Sequence, residues 1–312
     1  MSGTAINADT VRKLVDSWHG RATVRDGYRP TSEDYDLAIP DYPVSLIPFA
    51  GHPSYRTLDD ERRQRITTLG WLAYNERVIR AEEDVVNPTL ERLGRRVYPG
   101  PLGPDLAELA RQCYIDETWH TYLHMIAARR TRLVRGVTVE PDYPKALFLR
   151  SLEVQAAAAP ERWQRDLLFL LWTTVGEVTV NALLGLLAHD RTIQPQHALV
   201  ARLHARDESA HGAALTELAK DVHSRLDRRQ RDFFAARIPV ALTAFCAEDL
   251  LWWEQILRRC GVAAHREIIQ DTLREPGASL LVRDFGGMRR LVRELGFEDR
   301  VDFGAVSQEG HP

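Results

Sequence analysis

Apolar residues recur along this chain with the three-and-four spacing of helices, and strand-like alternation is nearly absent, so the predicted class is all-α. Val11, Leu14, Val15 and Trp18 share one side of a helix predicted over Ala8 to Arg25. From Asp26 to Tyr55 the periodicity lapses among Pro30, Pro40, Pro43, Pro48 and Pro53, a length without regular structure that is uncommon inside a compact domain. Leu46, Ile47 and Phe49 argue that this arm packs, across a bundle end or a dimer partner; an active-site lid is the alternative. Thr57 with Asp60 resembles a capping box opening a helix through Gly70, Trp71 and Glu82, which Asn87-Pro88 should kink or shorten. Beyond the breaker Val97 to Pro104, helices are predicted over Asp105 to Val134, Lys145 to Ala158, Pro160 to Ala188 and Pro195 to Leu226. Arg229 to Cys260 reads as one long helix, Val262 to Arg274 and Ser279 to Leu295 as shorter ones, and the tail from Gly304 as disordered.

Composition narrows the picture without naming a function. A hydrophobic fraction of 44% suits a globular protein, here read as one domain over 1–312. Within it, 1–56 form the N-terminal helix and arm, 57–226 the main bundle, 227–303 supporting helices and 304–312 a tail. A net charge of −3 gives no electrostatic reason to expect nucleic acid or an anionic membrane as partner. Leu167 to Ala188 is long enough to span a bilayer, but Glu177 at its centre would cost about 3 kcal/mol in lipid. A buried central helix with a functional carboxylate fits better. Cys113, Cys246 and Cys260 are far apart, and Met1 to Ser17 has no apolar run, which together predict reduced thiols in a cytoplasmic protein. No glycine-rich nucleotide fingerprint, zinc ribbon or nucleophile elbow occurs.

The chemistry gathers where Asp-Glu-x-x-His occurs twice, at Asp116-Glu117-Thr118-Trp119-His120 and at Asp207-Glu208-Ser209-Ala210-His211. Offsets of three and four put such groups on one helical face. Glu82 and Glu117 lie nearly equal distances either side of Pro99-Gly100-Pro101, and Glu177 and Glu208 either side of the Asp190 to Pro195 turn. Two antiparallel hairpins would therefore carry four glutamates to similar depth, roughly 20 Å from the turns at 1.5 Å per residue. Glu82 is preferred over Glu83 because its helical neighbours Val78, Ile79, Val85 and Val86 are apolar. One glutamate on each of two helices plus Glu-x-x-His on two others is the ligand scheme of ferritin-like four-helix bundles, here with additional flanking helices. Four carboxylates offset the charge of two divalent ions, and Asp116 and Asp207 are placed to orient the imidazoles. His204, one turn before Glu208, and His124, one turn after His120, are rival candidates for a seventh ligand.

The set Glu82, Glu117, His120, Glu177, His204, Glu208 and His211 resembles the metal site of the p-aminobenzoate N-oxygenase family, ferritin-like di-iron proteins. The resemblance selects His204 over His124 and implies two iron ions cycling between Fe2+ and Fe3+, with O2 as co-substrate. It extends to Tyr74, Arg77 and Asn181 as substrate contacts and, without a local motif to anchor it, to Arg283. It implies a monooxygenase that oxidises a primary amine, such as an aminobenzoate, to hydroxylamine, nitroso or nitro products, as in antibiotic biosynthesis. Small residues beside the ligands, Gly176, Ala205 and Gly212, are expected to leave room for O2 and an aromatic ring. With no flavin or nicotinamide motif, electrons are expected from a ferredoxin, reductase or small reductant. A homodimer is the family-like expectation, and the substrate is a free or carrier-tethered amine. A di-iron carbon hydroxylase or desaturase, and a non-catalytic ferritin-like metal protein, are the alternatives.

Overall fold

The long helices begin and end where the chain supplies the groups their termini lack. In the computed structural model, which describes residues 5–28, 35–139, 142–275 and 285–303, α1 spans Ala8–Arg21, capped by Asn7, and a 3₁₀ turn at Thr23–Arg25 follows it. The helix thus ends earlier than its apolar spacing implied, and the turn sends Thr23 inward. After α2 (Pro53–Arg56), α3 (Asp60–Ala81) is capped by Asp59, whose side chain accepts from the Arg62 amide at 2.8 Å. Asp59, rather than the expected Thr57, therefore sets its start; Thr57 closes α2 instead.

Helical structure continues through a π-helical segment, Glu82–Val86, into α4 (Asn87–Gly94). Pro88 was expected to kink or shorten this helix, but it sits in the first turn of α4 and does not end it. Just upstream the Asn87 amide closes a wider i→i+5 ladder on the Glu82 carbonyl. Next, α5 (Pro104–Arg135) has Pro104 at its first position and ends on Gly136, whose φ of 65° is the left-handed conformation glycine tolerates. After α6 (Leu147–Ala157), the Glu161 and Gln164 capping box opens α7 (Arg162–Ala188). Residues 189–194 then turn the chain into α8 (Pro195–Ser224).

The predicted helix from Arg229 to Cys260 is two helices, α9 (Arg228–Cys246) and α10 (Leu250–Arg259), separated by an extended Ala247. The break lets Asp249 accept from the Leu147 amide at 2.7 Å, capping the start of α6, and lets Glu248 accept from Trp253 Nε1 at 3.1 Å. Apolar spacing runs unbroken across 247–249, which hid the break. The chain finishes with α11 (His265–Arg274) and α12 (Gly286–Glu294). The rest of the helix expected from Ser279, and the tail from Gly304, lie outside the described residues, as does Arg283.

The bundle is α3 with its π segment, α5, α7 and α8; no β-strand occurs among the described residues. α7 packs most extensively on α8, α3 on α5, and α5 on α8. Around them, α1 lies across α5 and α8, α9 and α6 cover α7, and α10 backs α3. A single apolar cluster runs from Val11 to Phe303. Arm residues Tyr42, Ile47 and Phe49 belong to that core, with Tyr42 and Phe49 edge-on to Trp253, so the described part of the arm packs against its own protomer. Among the described residues α7 alone is long and apolar enough to cross a membrane, and 72% of its most apolar window is buried inside the protein.

Candidate metal centre

Four helical segments carry seven ionisable side chains to one buried place: Glu82 at the start of the π segment, Glu117 and His120 on α5, Glu177 on α7, and His204, Glu208 and His211 on α8. None is more than 4% exposed. Potential ligand atoms of Glu82, Glu117, His120 and His204 lie within 4.8 Å of one another, and those of Glu117, His120, Glu208 and His211 form a second such group. The two groups share Glu117 and His120, so they are adjacent. Glu177 reaches the cluster through Oε2, 3.8 Å from His211 Nδ1.

Hydrogen bonds on the outer side of the rings decide which nitrogens face inward. His120 Nε2–H donates to Asp207 Oδ2 at 3.1 Å, and His211 Nε2–H donates to Asp116 Oδ2 at 3.0 Å. Each aspartate thus orients the imidazole of the opposite helix. In neutral rings the inner Nδ1 then carries a lone pair. That of His120 meets Glu117 Oε2 at 2.7 Å and Glu208 Oε1 at 3.3 Å. That of His211 meets Glu117 Oε1 at 2.7 Å and Glu208 Oε1 at 3.0 Å. Lone pairs aimed at carboxylates repel unless a cation lies between them. One oxygen of each glutamate (Glu82 Oε2, Glu117 Oε1, Glu177 Oε2 and Glu208 Oε2) is buried without a hydrogen bond. Buried acceptors left unpaired are costly, so this donor set fits bound metal better than it fits itself.

With protons as the only cations, the site shows the same demand. Burial, with Glu117 and Glu208 as further causes, pushes the Glu82 and Glu177 carboxyls well above the usual range. Burial opposes charge on His120 and His211, but Glu117 and the other acceptors around them prevail and raise both well above an ordinary histidine. Glu117 is brought down to about 2, against its own burial, by His211 and His120. Four acidic groups thus cannot all be charged without cations among them; metal ions can take the place of these protons.

Behind the aspartates sits a layer from α1 and the 3₁₀ turn after it that sequence reasoning missed. Trp18 Nε1–H donates to both Asp116 oxygens at 3.0 Å, and the Thr23 amide and hydroxyl donate to Asp207. The Trp119 indole in turn donates to Thr23 Oγ1 at 3.0 Å. Arg21 Nη1 stands 3.9 Å from Asp116 and 3.8 Å from Asp207, offsetting both charges. Nothing local marks Trp18 or Thr23, since their partners lie 98 and 184 residues away.

The other sequence candidates are placed less uniformly. Tyr74 packs edge-on to His124 at 5.6 Å, its hydroxyl buried without a partner, and burial with the charges of Glu208 and Glu82 raises its pKa far beyond an ordinary tyrosine. Arg77 lines the same small cavity as Tyr74, about 40 Å³, but its guanidinium donates to the Phe245 carbonyl at 2.7 Å. Asn181 is half-buried one turn after Glu177. His124 stands one step back from the carboxylates, with Nε2 2.9 Å from His204 Nδ1, whereas His204 Nε2 lies 3.1 Å from Glu208 Oε1 and 3.8 Å from Glu82 Oε1. Gly176 and Gly212 do not open space as expected: a Cβ on Gly212 would meet the Glu177 carbonyl at 3.1 Å, and one on Gly176 the Phe245 ring at 3.1 Å. Both serve close helix packing. A separate half-exposed trio, His52, Glu267 and Asp271, is explained without metal: His52 Nδ1 accepts from the Ser54 amide, so Nε2–H donates to Asp271 at 3.3 Å.

Comparison with known proteins agrees with this geometry. A family model described as P-aminobenzoate N-oxygenase AurF matches residues 5–296. The 4-aminobenzoate N-oxygenase of Streptomyces thioluteus is 39% identical over 300 residues, covering 96% of this chain and 89% of the relative.

Proposed function

The chain belongs to the p-aminobenzoate N-oxygenase family, and from that premise we propose that it is an iron-dependent monooxygenase acting on an aminobenzoate-type arylamine. The observation that carries the metal assignment is the turning of four orphaned carboxylate oxygens and two imidazole lone pairs onto one buried volume. Glu82, Glu117, His120, Glu177, His204, Glu208 and His211 would hold two iron ions there. Four carboxylates with imidazole suit iron or manganese, and four carboxylates balance the charge of two divalent ions. When bound, the metal pair supplies the oxygen-activating redox chemistry.

The chain's own residues bind, orient and exclude water. Asp116 and Asp207 keep protons on the outer nitrogens of His211 and His120, which leaves the inner nitrogens free to coordinate. The cluster itself is buried, none of its seven side chains more than 4% exposed, which keeps the centre dry. On this reading Tyr74, Arg77, Asn181 and Arg283 contact the substrate, with Arg77 also donating to the Phe245 carbonyl. In each N-hydroxylation one atom of O2 goes to nitrogen and the other leaves as water, which consumes two electrons and two protons. An external donor such as a ferredoxin or reductase supplies the electrons. Work in specialised metabolism, in the cytoplasm and as a homodimer completes the proposal.

The test is metal analysis of the purified protein followed by reduction, exposure to 18O2 and a panel of aminobenzoates and other arylamines. Two irons per chain and labelled oxygen on nitrogen are expected. Iron loading with product labelled only on carbon, or with no oxidised amine across the panel, overturns the reaction assigned.

A further inference from the structure

A hydrogen-bonded relay leads from helix α3 to the extra histidine and fixes how that ring is presented. The Trp71 carbonyl can only accept, so the Asn75 amide nitrogen is the group 2.6 Å from it. That places Asn75 Oδ1 toward His124 Nδ1 at 2.9 Å, where it can only accept in turn. His124 therefore carries its proton on Nδ1. Asn75 and His124 are fully buried, and the two ring nitrogens of His124 face an amide and an imidazole with no carboxylate to offset a charge, so the ring is neutral. A neutral His124 protonated on Nδ1 has a lone pair on Nε2, and His204 Nδ1, 2.9 Å away, must be the donor to it. His204 is left with its lone pair on Nε2, facing Glu208 Oε1 at 3.1 Å and Glu82 Oε1 at 3.8 Å.

We propose that Asn75 and His124 are positioning residues that set the tautomer of His204, so that Nε2 is presented bare to the metal. This rests on the reading of His204 as a ligand. Asp116 and Asp207 give His211 and His120 their proton on Nε2 and so turn Nδ1 inward. His204 has no carboxylate behind it, and the relay gives it the opposite tautomer from a neutral partner. The amide does the work because its two ends are unlike: one only donates and the other only accepts.

The test uses the full-length protein loaded with zinc, a diamagnetic stand-in, and reads the tautomers of 15N-labelled histidines in long-range 1H–15N spectra. The expected result is His204 protonated on Nδ1 and metal-bound through Nε2, with His124 protonated on Nδ1. Chelator competition then compares Asn75→Leu, His124→Phe and His124→Gln. Asn75→Leu frees His124 to take either tautomer, and His124→Phe removes the acceptor; each is expected to weaken one of the two metal ions by about 10–100-fold, the range for residues that orient a ligand. His124→Gln keeps a carbonyl acceptor for His204 Nδ1–H and is expected to return affinity to within a few-fold. His204 protonated on Nε2, or wild-type affinity for both ions in Asn75→Leu and His124→Phe, overturns the proposal. So does loss in His124→Gln as deep as in His124→Phe when both melt like wild type. Wild-type protein that binds no metal would instead overturn the metal reading itself.

Discussion

Asp116 and Asp207 show how one side chain here acts on a neighbour's chemistry. Neither points its carboxylate at the cluster; each instead holds the outer proton of an imidazole on the facing helix. Asp207→Asn should therefore lower metal affinity about 10–100-fold without removing a ligand, as chelator competition would register. Glu177→Gln goes further: it should lose metal and activity, yet raise the melting temperature of the metal-free protein at pH 8, because one of four mutually repelling buried carboxyls is gone. Glu248 supplies a pH test away from the cluster. Burial is the largest cause holding its carboxyl up at about 7, so the folded state keeps a proton that the unfolded chain releases near pH 4.5. Its contribution to stability is full below pH 4.5 and is lost as pH rises through 7, by at most about 3 kcal/mol over that window. Glu248→Gln should flatten this part of the stability profile in melting curves taken from pH 5 to 8. Glu117, His120, Glu208 and His211 were legible as two local motifs, and Glu82 and Glu177 from their spacing about the turns, whereas His204 was chosen over His124 only through the family resemblance. Trp18, Thr23 and Asn75 were not, because what makes them matter is a partner supplied by the fold.

At the scale of elements, the sequence told where helices are more readily than how they join. Caps and breakers mark α5, α7 and α8 within a few residues. The π segment was invisible, since its five residues keep apolar positions that suit an α-helix equally well. The division of α9 from α10 was equally silent, being driven by what Asp249 and Glu248 bind rather than by any breaker residue. The contact between α7 and α8 depends on Gly212, where any side chain would press on the Glu177 carbonyl. Gly212→Leu is expected to cost about 1–3 kcal/mol in chemical denaturation by forcing the two helices apart, and to weaken metal binding with it, since Glu177 rides on that contact.

For the whole molecule, the all-helical bundle, its two-hairpin frame and an arm that packs were readable, but the closing of the frame by α1 was not. Bound metal should stabilise the fold strongly, by about 4 kcal/mol when the free metal is a thousandfold above its dissociation constant. Calorimetry of loaded and chelated protein should show the difference as a lower melting temperature after chelation. The layer of Trp18, Arg21 and Thr23 has a consequence in time as well as in space. Its residues leave the ribosome before the aspartates they hold, which follow 98 and 184 positions later. Loop closure of that reach comes late, after the nearer contacts between neighbouring helices have formed. A helix made before its partners is thus among the last to find its place, and the centre is completed by the finished fold and cannot serve as its seed.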